Sequence, residues 1–120
     1  MNKLSKLLIL TLLLSLLLMA CGNKIELEPG TYQDEKYDYV YMIFDSNGRV
    51  EYKDNAYDIG GEYKQMSDGR YEIELYSNEG TYYLLGSCTD SKTILVYSNN
   101  NYRNEANGLG WEDGTMKKID

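Results

Sequence analysis

Histidine is absent from the 120-residue chain. That removes the commonest zinc and non-haem iron ligand, the base of Ser-His-Asp and Cys-His nucleophiles, and the usual proton shuttle near neutral pH. Basic residues are scarce: 12 Lys and Arg face 19 Asp and Glu, a formal net charge of −7. Nucleic acid is not an expected partner, because phosphate binding needs a basic surface. Cysteine occurs at Cys21 and Cys88 only, and proline only at Pro29. Gly-rich phosphate loops are missing, and no helical periodicity runs through the chain after residue 21. The expectation is a chain with no cofactor, no metal and no assembled catalytic set, hence not an enzyme.

One long apolar run is present. Lys3 and Lys6 precede it, no acid does, and Leu7 to Met19 is then uncharged over thirteen residues. A basic segment followed by such a run is the pattern of a secretory signal, expected as a helix. A permanent span needs about 20 apolar residues, and Gly22, Asn23 and Lys24 end this run before that. At its end, Leu18-Met19-Ala20-Cys21 resembles the lipobox of bacterial lipoproteins. Leu18 stands third before the Cys, small Ala20 directly before it and Gly22 after it, while Met19 is a less usual occupant. The resemblance implies a diacylglycerol on the Cys21 thiol and cleavage between Ala20 and Cys21. It also implies a protein held by its lipid on the extracytoplasmic side of a cell membrane or an outer membrane.

On this reading residues 1–20 are a signal peptide, residues 21–29 a lipidated Cys and tether, and residues 30–120 the folded domain. The mature 100 residues carry 10 basic and 19 acidic side chains. With Cys21 acylated, Cys88 has no partner for a disulfide. It is either a buried small apolar residue or a free thiol, and burial is favoured because it closes the apolar run from Tyr82 and lacks a basic neighbour.

The domain reads as short strands. Asp45-Ser46-Asn47-Gly48, Met66-Ser67-Asp68-Gly69 and Ser77-Asn78-Glu79-Gly80 each separate alternating segments. Each puts Gly where a hairpin turn asks for positive φ. The expected strands are 30–33, 38–44, 49–53, 59–65, 70–76, 80–88, 92–97 and 115–119. Alternation of period two between tight turns means antiparallel pairing with one face inward. About eight such strands suggest an all-β meander, a small barrel or a curled sheet that closes its own edges. Gly30-Thr31-Tyr32, Ile43-Phe44 through Gly48 to Val50, Gly61-Glu62-Tyr63 and Met116-Lys117-Lys118-Ile119 resemble the corresponding pieces of small lipocalin-like lipoprotein domains. The resemblance implies a barrel.

Leu, Ile, Val and Phe make up only 16 of the mature 100 residues, a composition that by itself points to disorder. Thirteen Tyr and Trp111 offset this with large apolar rings of high β propensity. Buried phenols need partners, so tyrosines are expected at rims, ring inward and hydroxyl outward.

Two groups stand out as binding candidates. Tyr37, Tyr39 and Tyr41 would share one face of the 38–44 strand region, opposite Val40, Met42 and Phe44. They form either an aromatic platform or one side of a covered strand. Residues 98–114 form the longest irregular stretch, with Tyr102, Arg103 and Trp111 among flexible asparagines. Glu72 and Glu74 alternate with Tyr71, Ile73 and Leu75 and are expected on a solvated face, not as an acid pair. The expected function is a non-enzymatic binding or interaction module of the cell envelope. Beyond the membrane itself, two partner classes stay open. One is a small apolar ligand in the barrel mouth. The other is a basic envelope protein met by the acidic, tyrosine-rich surface.

Overall fold

The computed structural model describes Lys3, Ser5, Lys6, Leu8 and Ile9, which are helical, together with residues 24–101 and 112–120. Cys21 and Ala20, and Tyr102, Arg103 and Trp111, lie outside the described residues. Among the described residues no helix is long and apolar enough to cross a membrane.

Eight strands follow: β1 (Gly30–Asp34), β2 (Tyr41–Phe44), β3 (Arg49–Lys53), β4 (Asp58–Gln65), β5 (Tyr71–Ser77), β6 (Gly80–Asp90), β7 (Thr93–Ser98) and β8 (Gly114–Lys118). Each pairs antiparallel with the next, and β8 returns to β1, closing the barrel. No strand edge is left open, which removes the usual template for edge-to-edge association. The turn glycines adopt the expected backbone, with φ of 83° at Gly48, 93° at Gly69 and 134° at Gly80.

Alternation sets the register. Tyr32, Met42, Phe44, Val50, Tyr52, Ile73, Leu75, Leu84, Ile94, Val96 and Met116 point inward and belong to one cluster of sixteen buried side chains that forms the core. Their neighbours Thr31, Ile43, Glu51, Glu72, Glu74 and Leu95 lie on the outer wall. The tyrosines behave as amphipathic rim residues. Tyr32 is fully buried, yet its hydroxyl donates to the carbonyls of Glu28 and Ser91 at 2.6 and 3.1 Å. The Tyr71 hydroxyl accepts the Leu27 N–H at 2.8 Å. Tyr63 donates to the Asp45 carbonyl. Among the described residues, no buried side-chain polar atom is without a hydrogen-bond partner.

The strand directions give the barrel two distinct ends. At one, the chain enters, and the turns β2–β3, β4–β5 and β6–β7 lie beside it. Here the segment that precedes β1 is strapped to the barrel from Ile25 onward. Leu27 is buried, the Glu28 N–H donates to the Ser91 carbonyl, and Gln65 Nε2 donates to the Ile25 carbonyl. The far end carries the connections β1–β2, β3–β4 and β5–β6, and the long connection β7–β8 leaves and returns there.

The second strand is shorter than the sequence suggests. It begins at Tyr41, so Tyr37 and Tyr39 belong to a loop, not to a strand face. Asp34 is the cause. Its Oδ1 accepts the N–H groups of Lys36 and Tyr37 at 2.7 and 3.0 Å, turning the chain before a strand can start. The N–H of Val40 then donates to the Tyr37 carbonyl, and the N–H of Asp34 to the Val40 carbonyl.

Gly48→Val is expected to cost about 2 kcal/mol, because a β-branched residue resists a φ of +83°. Urea unfolding of the two proteins measures this, and equal midpoints would contradict the turn geometry.

Candidate functional site

A hollow of about 230 Å³ opens at the far end, lined by Asp34, Tyr37, Tyr39, Val40, Tyr52, Asp54 and Glu112. The Asp34 loop places Tyr37 and Tyr39 there, with ring centroids 5.7 Å apart and planes tilted by 48°. Two of the three tyrosines singled out in the sequence therefore do meet, through a loop. Tyr41 does not join them. It sits on the outer wall, where its hydroxyl accepts from Gln33 Nε2 at 3.3 Å. Tyr37 donates to Glu112 Oε2 at 2.8 Å, and Lys36 Nζ lies 2.7 Å from Glu112 Oε1 and 5.2 Å from the Tyr37 ring centroid. Lys36 and Tyr37 together hold the Glu112 carboxyl below the usual carboxylate range.

The floor of the hollow is Tyr52, buried among core side chains with its hydroxyl 2.6 Å from Asp54 Oδ2. Burial first, then the Asp54 carboxylate, raises the Tyr52 phenol above its ordinary pKa. Burial alone would raise Asp54. Tyr52 and the N–H groups of Ala56 and Tyr57, both at 2.7 Å, outweigh it and lower the carboxyl. Sequence reading missed this pair. The signal was Asp54-Asn55-Ala56-Tyr57 between two strands, where Asp can accept from the backbone two and three residues on.

The three carboxylates of the hollow are thus committed to backbone, phenol or ammonium donors. Among the described residues, no group of three or more Asp, Glu or Cys is arranged to hold a metal ion. The hollow offers aromatic rings and fixed negative charge. Asp54→Ala should cost about 2 kcal/mol above pH 5, since three hydrogen bonds to a charged group are lost. Asp54 titrates low when folded, so its contribution is full above the unfolded value of about 4 and fades as pH falls through the folded one. Thermal melts from pH 7 down to pH 2 should show the gap between the two proteins closing at the acid end. A gap that widens there would contradict the assignment.

Charge is distributed unevenly between the ends. Among the described residues the far end carries Asp34, Glu35, Asp38, Asp54, Asp58, Glu79, Glu112 and Asp113, against Lys36, Lys53 and Lys117. The strapped end carries Glu26, Glu28, Asp45, Asp68, Asp90 and Asp120, against Lys24, Arg49, Arg70, Lys92 and Lys118. Tyr39 and Tyr57 add apolar surface at the far end, at 43% and 37% exposed.

A larger, shallower hollow of about 430 Å³ lies on the outer wall, over Asn47, Arg49, Glu62, Tyr63, Lys64, Glu72 and Glu74. Glu72 and Glu74 face outward, as their alternation indicated. Tyr76 donates to Glu74 and Glu62 at 2.9 and 3.3 Å, and Lys64 Nζ lies 3.8 Å from Glu72. Cys88 is half-buried against the core, and burial, then the charge of Asp90, pushes its thiol up to about 11. A thiol so protonated is a poor nucleophile.

No family model, curated protein or solved structure matches the chain.

Proposed function

We propose that this chain is a cell-envelope lipoprotein, anchored through acylated Cys21, that works as a non-enzymatic interaction module. Its far end, acidic and rimmed with tyrosine, engages a basic envelope protein. The lipobox-like Leu18-Met19-Ala20-Cys21 and the run before it support the anchor. The observation that carries the interaction reading is the contrast between lumen and mouth. Sixteen buried side chains form one packed cluster in the core, and this supports a binding site outside the lumen. The hollow above them presents Tyr37 and Tyr39 inside a ring of carboxylates. Tyrosine supplies contact area at small entropic cost, and negative charge steers a cationic partner toward it. A small apolar ligand would have to displace core side chains, each worth about 2–5 kcal/mol in packing.

The test is an NMR titration of residues 22–120 with a Lys- and Arg-rich peptide. Amide shifts should concentrate in 35–40, 54–57 and 112–113, and binding should weaken as salt rises. Tyr39→Ala should weaken it about tenfold, the loss of roughly 1.4 kcal/mol. Shifts centred on the outer wall, or binding indifferent to salt, would overturn the reading.

A further inference from the structure

We infer that the strap fixes how the barrel stands: its strapped end rests on the bilayer, and the tyrosine-rimmed mouth faces away from it. This placement rests on the Cys21 anchor proposed above. The strap is built into the fold. Leu27 is buried in the core cluster and donates its N–H to Tyr71. The Glu28 carbonyl accepts from Tyr32, its N–H reaches Ser91, and the Ile25 carbonyl accepts from Gln65. Lys24 lies against Gly69 in the β4–β5 turn.

These contacts shorten the leash. Ile25 is four residue steps from Cys21, and fully extended these reach about 14 Å. The barrel is taller than that. β5 runs seven residues from Tyr71 at the strapped end to Ser77 at the far end, about 16 Å of height after the usual strand tilt. The far end therefore cannot be brought face-down onto the bilayer without pulling the strap off. Charge acts in the same direction. An anionic lipid surface repels the far end, with eight carboxylates to three bases among the described residues, more than the nearly balanced strapped end. A basic partner would then approach from the side away from the membrane.

The full-length lipidated protein tests this in vesicles of phosphatidylethanolamine and phosphatidylglycerol that carry a headgroup-level quencher. Ser46→Cys and Ser67→Cys place a fluorophore in exposed turns of the strapped end, and Asn55→Cys and Asn78→Cys do so at the far end, each with Cys88→Ala. We expect the first two to be quenched at least threefold more than the second two. Equal quenching, or stronger quenching at 55 and 78, overturns the orientation. Vesicle flotation precedes the measurement. Protein that fails to float overturns the anchor, whereas protein that floats with inverted quenching overturns the orientation alone.

Discussion

Phe44→Ala should lower stability by about 4 kcal/mol, within the range seen when a fully buried aromatic ring is removed. Phe44 is the only phenylalanine in the chain and is 1% exposed. It meets Tyr32 and Tyr63 edge-on, with centroids 5.4 and 5.0 Å away and planes near perpendicular. This is the favourable arrangement for aromatic quadrupoles, worth about 0.5–1.5 kcal/mol beyond area alone. Both partners also anchor polar contacts at the strapped end: Tyr32 to the strap, Tyr63 to the β2–β3 turn. The loss should therefore spread. In a domain of this size it lowers Tm by roughly 15–30 °C, and hydrogen exchange should quicken in the strap and that turn together. A loss below about 1 kcal/mol would mean the aromatic group does not organise this half of the core.

Gly61→Ala is expected to be comparably damaging, although it adds one methyl group. A Cβ built on Gly61 would lie 1.8 Å from the Glu74 carbonyl oxygen and 2.9 Å from Leu75 Cα. Both atoms are backbone of the paired strand β5, with Gly61 opposite Leu75. No rotamer relieves such a clash, so β4 and β5 must part locally and lose ladder hydrogen bonds. A cost of about 3 kcal/mol or more follows. The adjacent residue supplies the control: a Cβ at Gly60 meets nothing within 4 Å. Gly60→Ala should be neutral or slightly stabilising, since it reduces the freedom of the unfolded chain. Melting curves of the two variants should separate by more than 10 °C. Coincident curves would refute the close approach.

The contrast between Gly60 and Gly61 shows what local sequence conveys and what it withholds. Both sit in one alternating segment, whose period of two puts Gly61 on the face of Ile59 and Tyr63 and Gly60 on that of Glu62 and Lys64. How closely the β5 backbone approaches Gly61 is set only when the two strands pair. The turns were legible because their demand is local: Gly48, Gly69 and Gly80 follow residues that favour turns, and each takes positive φ. β3, Arg49–Lys53, has the bounds its alternation indicated. β2 does not, because Asp34 turns the chain through its side chain, while Tyr37, Tyr39 and Tyr41 happen to keep a period of two. The strap was illegible for the same reason as Gly61. Leu27 is buried, and the Ile25 carbonyl held, only against Tyr71 and Gln65, some forty residues away.

The candidate site divides likewise. Tyr37 and Tyr39 were identifiable by type, and the fold brings them together at the mouth. Asp34, Tyr52, Asp54 and Glu112 join them from three separate segments, a meeting that only barrel closure produces. The tyrosine content had the consequence expected of it. Rings fill a lumen that the aliphatic side chains alone would leave short, and hydroxyls are satisfied at the rims.

Native mass spectrometry of residues 22–120 after incubation with envelope extract bears most directly on the central claim, a filled barrel that binds through its acidic end. The account predicts no small apolar adduct, and instead a protein-sized complex that dissolves as salt is raised and is lost in Tyr39→Ala. A small, stoichiometric adduct that persists in high salt would contradict it, and would place the binding site inside the barrel.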